Sequence, residues 1–117
     1  MNSTVAEPKA VIAEPTTEHR QDAWEKVRLQ PPYNVVLLDD NDHTYEYVIE
    51  MLMSIFGYNP VKAFLMAREV DTAGRVIVLT TTLERAELER DRIHAYGADW
   101  RIPRCKGSMS AVLEPAG

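Results

Sequence analysis

Val35-Val-Leu-Leu-Asp-Asp-Asn-Asp-His-Thr-Tyr-Glu-Tyr-Val-Ile-Glu50 decides the fold. Four apolar residues run into a carboxylate-rich turn, and a helical apolar period begins directly after it. The pattern predicts a buried strand over roughly Tyr33 to Leu38 that delivers its end to a helix start. Asp39, Asp40, Asn41, Asp42 and His43 are then crowded at the end of a rigid element, where exposed acids can meet a cationic group. A binding site is expected at that turn.

Downstream of it, Tyr45, Val48, Ile49, Leu52, Ile55 and Phe56 share one face of a helix that Gly57 ends. Asn59-Pro60 reads as an N-cap with proline at the first helical position. Val61, Phe64 and Leu65 supply the apolar stripe of a second helix, which reaches about Val70. Arg75 to Thr81 is rich in branched residues and reads as a central strand. Thr81-x-x-Glu84 has the form of a capping box for a third helix, closed by Gly97. The charges from Glu84 to Arg92 read as its solvated face. A last strand is expected from Met109 to Leu113, with Met109, Ala111 and Leu113 alternating with Ser110 and Val112. The sum is an α+β domain, a three-stranded antiparallel sheet packed against three helices.

Upstream, Met1 to Gln30 mixes proline, serine, threonine and charges with no sustained apolar period. Ordering it would bury too little surface to offset the lost entropy, so residues 1–30 are expected to be a flexible extension and 31–117 the core domain. Trp24, Val27 and Leu29 could form a transient turn against the core or a partner. The extension lacks the apolar core of a secretory signal and is too acidic for an ordinary transit peptide.

The whole chain has 117 residues, a net charge of −5 and 45% hydrophobic residues. That suits one small domain, provides no membrane span, and argues against a nucleic-acid backbone as partner. Cys105, the single cysteine, cannot form an internal disulfide and reads as a packed or half-exposed thiol of a reducing compartment. His94 and His19 read as surface residues, and no nucleophile with an adjacent base is legible.

Three readings of the acidic turn compete. A metal site built on Asp39, Asp40, Asn41, Asp42, His43 and Glu46 lacks the glycine and closing glutamate of a calcium loop. No metal or other cofactor is expected. A phosphoacceptor receiver domain also opens with a strand ending in two acids, and Val76 to Thr81 imitates one of its later strands. The strand carrying a nucleophilic aspartate and the strand carrying a lysine are missing, since neither Asp71 nor Lys106 has that context.

The third reading rests on resemblance. From Tyr33 onward the chain resembles the ClpS family of Clp protease adaptors. The resemblance is carried by Val35 to Thr44, Glu46-Tyr-Val-Ile-Glu50, Glu69-Val-Asp-Thr-Ala-Gly-Arg75 and the short final strand. It implies a non-enzymatic, monomeric, bacterial cytoplasmic adaptor. Such an adaptor binds proteins with N-terminal Leu, Phe, Tyr or Trp and delivers them to a ClpA- or ClpC-type AAA+ unfoldase, which engages the mobile extension. A free α-amino group is cationic and offers several donors, which carboxylate and amide acceptors on a rigid turn complement.

By the same resemblance, Asp39, Asp40, Asn41, His43 and Asp71 would hold the amine. Tyr45, Val48, Ala67, Val70 and Met109 would line the side-chain pocket, and Glu84 and Glu87 would meet the unfoldase. The family's turn typically runs asparagine, aspartate, aspartate, and here the amide and one acid are exchanged. His43 replaces a threonine, Asp71 a histidine and Ala67 a bulky methionine. A ClpS-like domain with lost or altered degron binding is therefore the alternative.

Overall fold

The computed structural model describes residues 30–117. The extension expected over the first thirty residues, with His19, Trp24, Val27 and Leu29, lies outside them except for Gln30. The order of elements is β1 (Tyr33–Leu38), α1 (Tyr45–Phe56), α2 (Pro60–Ala73), β2 (Arg75–Thr81), α3 (Leu83–His94) and β3 (Ala111–Pro115). The strands form one antiparallel sheet in the order β2-β1-β3. That is the expected α+β architecture, and its antiparallel pairing excludes the parallel sheet of a receiver domain.

β1, not β2, is the central strand, which corrects the sequence reading. Asn34 to Leu37 are all buried, whereas β2 alternates and leaves Ile77 43% exposed. Branched residues favour a pleated surface without specifying edge or centre. The register between β1 and β2 shifts at Val35/Val36, where Val35 pairs with Leu79 and Val36 with Ile77, so β2 accommodates Val78 as an extra residue. Across the sheet, the Thr80 hydroxyl donates to Asn34 Oδ1 at 2.6 Å and Arg75 pairs with Glu114 at 2.7 Å. The first ties β2 to β1, and the second joins the two edge strands to each other.

Local signals set most helix ends. The Thr44 hydroxyl accepts from Tyr47 N at the start of α1, and Gly57 takes φ 72° at its end. Asn59 caps α2 through Lys62 N, Pro60 stands in its first turn, and Gly74 closes it at φ 84°. A side chain at either glycine would strain the left-handed backbone. α2 runs three residues beyond the expected end, which places Asp71 inside the helix. The cap of α3 is Thr82, whose hydroxyl accepts from Arg85 N, and not the expected Thr81, which belongs to β2. α3 stops at His94, ahead of Gly97. β3 begins two residues later than expected, and Met109 and Ala111 face the core.

The core lies between the sheet and the helices. Val35, Leu37, Val48, Met51, Leu52, Ala63, Ala67, Val70, Ile93 and Met109 belong to it. α2 turns the opposite face inward from the one expected: Ala63, Ala67 and Val70 are buried, while Val61, Phe64 and Leu65 are 69, 42 and 45% exposed. Small residues let α1 and α2 approach closely, and that proximity leaves no room for the bulkier stripe. On α1 the buried arc also takes in Tyr47, whose hydroxyl donates to Gly97 O at 2.5 Å. Among the described residues no helix is long and apolar enough to cross a membrane.

Candidate functional site: the acidic turn after the central strand

The turn begins where β1 is held from both sides. Leu38 N–H donates to Ser110 O and Asp39 N–H to Gly74 O, both at 3.0 Å. The backbone that carries the acids is thus tied to the segments entering β3 and β2. From there the turn residues divide into two groups.

The first group gathers beside α2. Asp71, in the last turn of α2, accepts a 2.9 Å hydrogen bond from the Tyr45 hydroxyl at the start of α1. This bond raises the Tyr45 hydroxyl above its ordinary value, with burial and the Asp71 charge adding to it. Asp39 is raised as well, by burial first and then by the Asp71 and Asp40 carboxylates, against the lowering effect of a backbone hydrogen bond from Asp40. Like charges facing one another disfavour ionisation. Among the described residues neither Asp39 nor Asp71 forms a salt bridge with Lys or Arg, so a cation placed between them would relieve the repulsion.

The second group is bound to the loop between α3 and β3. Asp40 Oδ1 accepts from Asp42 N at 2.9 Å and faces His43 Nδ1 at 2.6 Å. The His43 side chain is only 4% exposed, and its Nε2 faces Gly107 O at 2.8 Å. His43 therefore stands behind Asp40 with both ring nitrogens occupied. Arg104 donates to Asp42 and to Asn41 O, leaving Asn41 exposed at the tip.

Asp99 completes this side. Its Oδ2 accepts from both the N–H and the hydroxyl of Thr44 at 2.8 Å, and its Oδ1 from Arg101. Burial by itself would raise this carboxyl, but the donors of Thr44 and Arg101 outweigh it and hold it at about 2. Arg101 also reaches Glu50 on α1 at 2.6 Å. The loop is thus fastened to the first turn of α1.

Of the five residues expected to line a side-chain pocket, Val48, Ala67, Val70 and Met109 are core residues, none more than 4% exposed. Tyr45 packs on that core from its edge, 5.9 Å from the Phe64 ring, and spans from α1 to Asp71 on α2. Glu84 and Glu87 are exposed on α3.

Three residues play parts that the sequence reading missed. Glu89 lies inside the supposed solvated face yet is fully buried, held by Arg85 at 2.5 Å and Arg92 at 3.0 Å. Arginines four residues before it and three after were the available signal. His94 is exposed, as expected, but its Nε2 also accepts from Ala111 N at 3.0 Å and ties α3 to β3. Cys105 Sγ lies 3.3 Å from His43 Nε2, so the single cysteine stands beside an imidazole. No local pattern could reveal a pair 62 residues apart in sequence.

The geometry defines a small α+β domain that presents an acidic turn on a rigid strand end. The family model for the ATP-dependent Clp protease adaptor protein ClpS matches residues 28–101. The chain belongs to the ClpS family. It is 33% identical over 83 residues to the ATP-dependent Clp protease adapter protein ClpS of Methylococcus capsulatus, a match covering 71% of this chain and 78% of that one. With the ClpS of Desulforapulum autotrophicum it shares 30% identity over 94 residues, covering 79% and 90%. The structure of Agrobacterium tumefaciens ClpS2 bound to L-phenylalaninamide shares the fold, with a TM-score of 0.64 and 20% identity, over 74% of this chain and 99% of that one.

Proposed function

We propose that this chain binds proteins carrying a bulky hydrophobic N-terminal residue, Leu, Phe, Tyr or Trp, and delivers them to a ClpA- or ClpC-type AAA+ unfoldase. The observation that carries the reading is the pair Asp39 and Asp71, two carboxylates brought together with no Lys or Arg salt bridge among the described residues. An α-ammonium group is a compact cation with three donors and fits that deficit. ClpS2 bound to phenylalaninamide offers a parallel, since that ligand joins a free amine to an aromatic side chain.

In this scheme Asp39 and Asp71 take the charge, Asp40 offers its Oδ2, and Asn41 supplies an amide acceptor. His43 acts through Asp40. Tyr45 releases Asp71 when the amine arrives and turns its ring to the ligand side chain, while Val48, Ala67, Val70 and Met109 form the wall behind it. Glu84 and Glu87 on α3 meet the unfoldase, and residues 1–30 form the separate extension that it engages.

Altered specificity is favoured by one observation: Tyr45 already occupies Asp71 at the edge of a closed core. Titration of the protein with peptides differing only at the first residue tests both readings. Phe-, Tyr-, Trp- and Leu-starting peptides should bind and their acetylated forms should not, since acetylation removes the charge and two donors. Equal affinity for free and acetylated peptides would remove the amine site. Binding confined to other first residues would establish the altered form.

A further inference from the structure

The loop between α3 and β3 assembles a thiol, an imidazole and a carboxylate beneath the acidic turn. Cys105 Sγ lies 3.3 Å from His43 Nε2, and His43 Nδ1 lies 2.6 Å from Asp40 Oδ1. The other neighbour of Nε2 is Gly107 O at 2.8 Å. A carboxylate and a carbonyl accept but never donate, so both ring nitrogens must carry protons for both contacts to be hydrogen bonds. His43 is then an imidazolium, almost wholly buried, with the half-buried thiol against its Nε2. A buried cation stabilises an anion beside it. Asp99 N–H points at the same sulfur from 3.1 Å, and Arg104 and Lys106 flank Cys105 in sequence. Of the polar contacts at the sulfur, Asp99 N–H donates to it and only Gly107 O, at 3.3 Å, accepts from it.

We propose that Cys105 is a nucleophilic thiol, activated by His43 and positioned through Asp40, that hydroperoxides modify to a sulfenic acid. Because Nε2 already carries a proton, the thiol proton passes to solvent, leaving a thiolate paired with the imidazolium. The thiolate then attacks the terminal peroxide oxygen, the S–O bond forms and the O–O bond breaks. Sulfur loses two electrons, and the departing hydroxide or alkoxide takes the proton from Nε2 to leave as water or alcohol. No further reductant or oxidant enters. The site shares Asp40 with the amine-binding turn, but its chemistry is independent of any peptide.

The test is dimedone trapping of sulfenic acid on the full chain treated with hydrogen peroxide at pH 7, read by intact mass and peptide mapping. A free thiol is only a few per cent thiolate at that pH, so complete activation predicts a rate about tenfold or more above that of N-acetylcysteine. Cys105→Ser should give no adduct. His43→Gln should lower the rate to that of N-acetylcysteine and abolish the ultraviolet thiolate absorbance at neutral pH. Asp40→Asn should diminish both. A wild-type rate no greater than that of N-acetylcysteine would overturn the proposal without recourse to any variant, as would a folded His43→Gln protein reacting like the wild type. In either case Cys105 is a neutral thiol donating to Gly107 O.

Discussion

Asp99 and Asp39 are two carboxylates at the two ends of one site, shifted in opposite directions. Asp99 has protein donors on both oxygens and is held at about 2, whereas Asp39 is raised by burial and by facing Asp71 and Asp40. The difference separates structure from function. An acid that the fold itself satisfies fastens a loop to a helix start, while an acid that the fold leaves facing other acids is the one to which the proposed function assigns the ligand's cation.

The largest way to break this contrast is Asp99→Ala. It strands the Thr44 N–H and hydroxyl and one face of Arg101, and should lower stability by about 2–4 kcal/mol in urea unfolding. The sign with pH follows from the depressed carboxyl. Its contribution is full above the unfolded value near 4 and disappears as pH falls through the folded value of about 2. Asp99→Asn should flatten acid unfolding in that window, and an unchanged acid limb would show that Asp99 is not the group titrating there.

Ala67→Met comes next. The family resemblance set Ala67 against a ligand, but Ala67 is 1% exposed within the core on the inward face of α2. Overpacking there should cost about 1–3 kcal/mol in thermal or urea unfolding. A stable variant that binds Leu-starting peptides while excluding Ile and Val would return Ala67 to the pocket wall.

A smaller effect is expected at the open end. Asp39→Asn or Asp71→Asn should each weaken a Phe-starting peptide by about tenfold, one charge-assisted hydrogen bond, with calorimetric titration as the measurement. Neither change should alter binding if the amine sits on Asp40 alone. The smallest effect has the opposite direction. A carboxyl whose folded value is raised loses stability as pH rises through that value, so Asp39→Asn should stabilise the free protein near neutrality. Exposure to solvent limits the gain to a few tenths of a kcal/mol. A variant that binds less and folds better would show that the turn is strained for its ligand.

The sequence by itself determined the order of elements and most of their ends, because these depend on neighbours: Thr44, Gly57, Asn59-Pro60 and Gly74 act within one helical turn of where they stand. It also determined the acidic turn, since a strand running into carboxylates needs no distant partner to be read. What it missed depends on which distant surfaces meet. The inward face of α2 was set by how closely α1 approaches, so Ala63 and Ala67 won over Phe64 and Leu65. The centre of the sheet was set by β3 pairing with β1. Only the tertiary structure decided which acids are satisfied, because the donors for Asp40 and Asp99 include His43, Thr44 and Arg101, and the loop that brings Asp99 and Cys105 to the turn lies more than fifty residues along the chain. A carboxylate's role is fixed by what faces it across space, and spacing along the chain does not encode that.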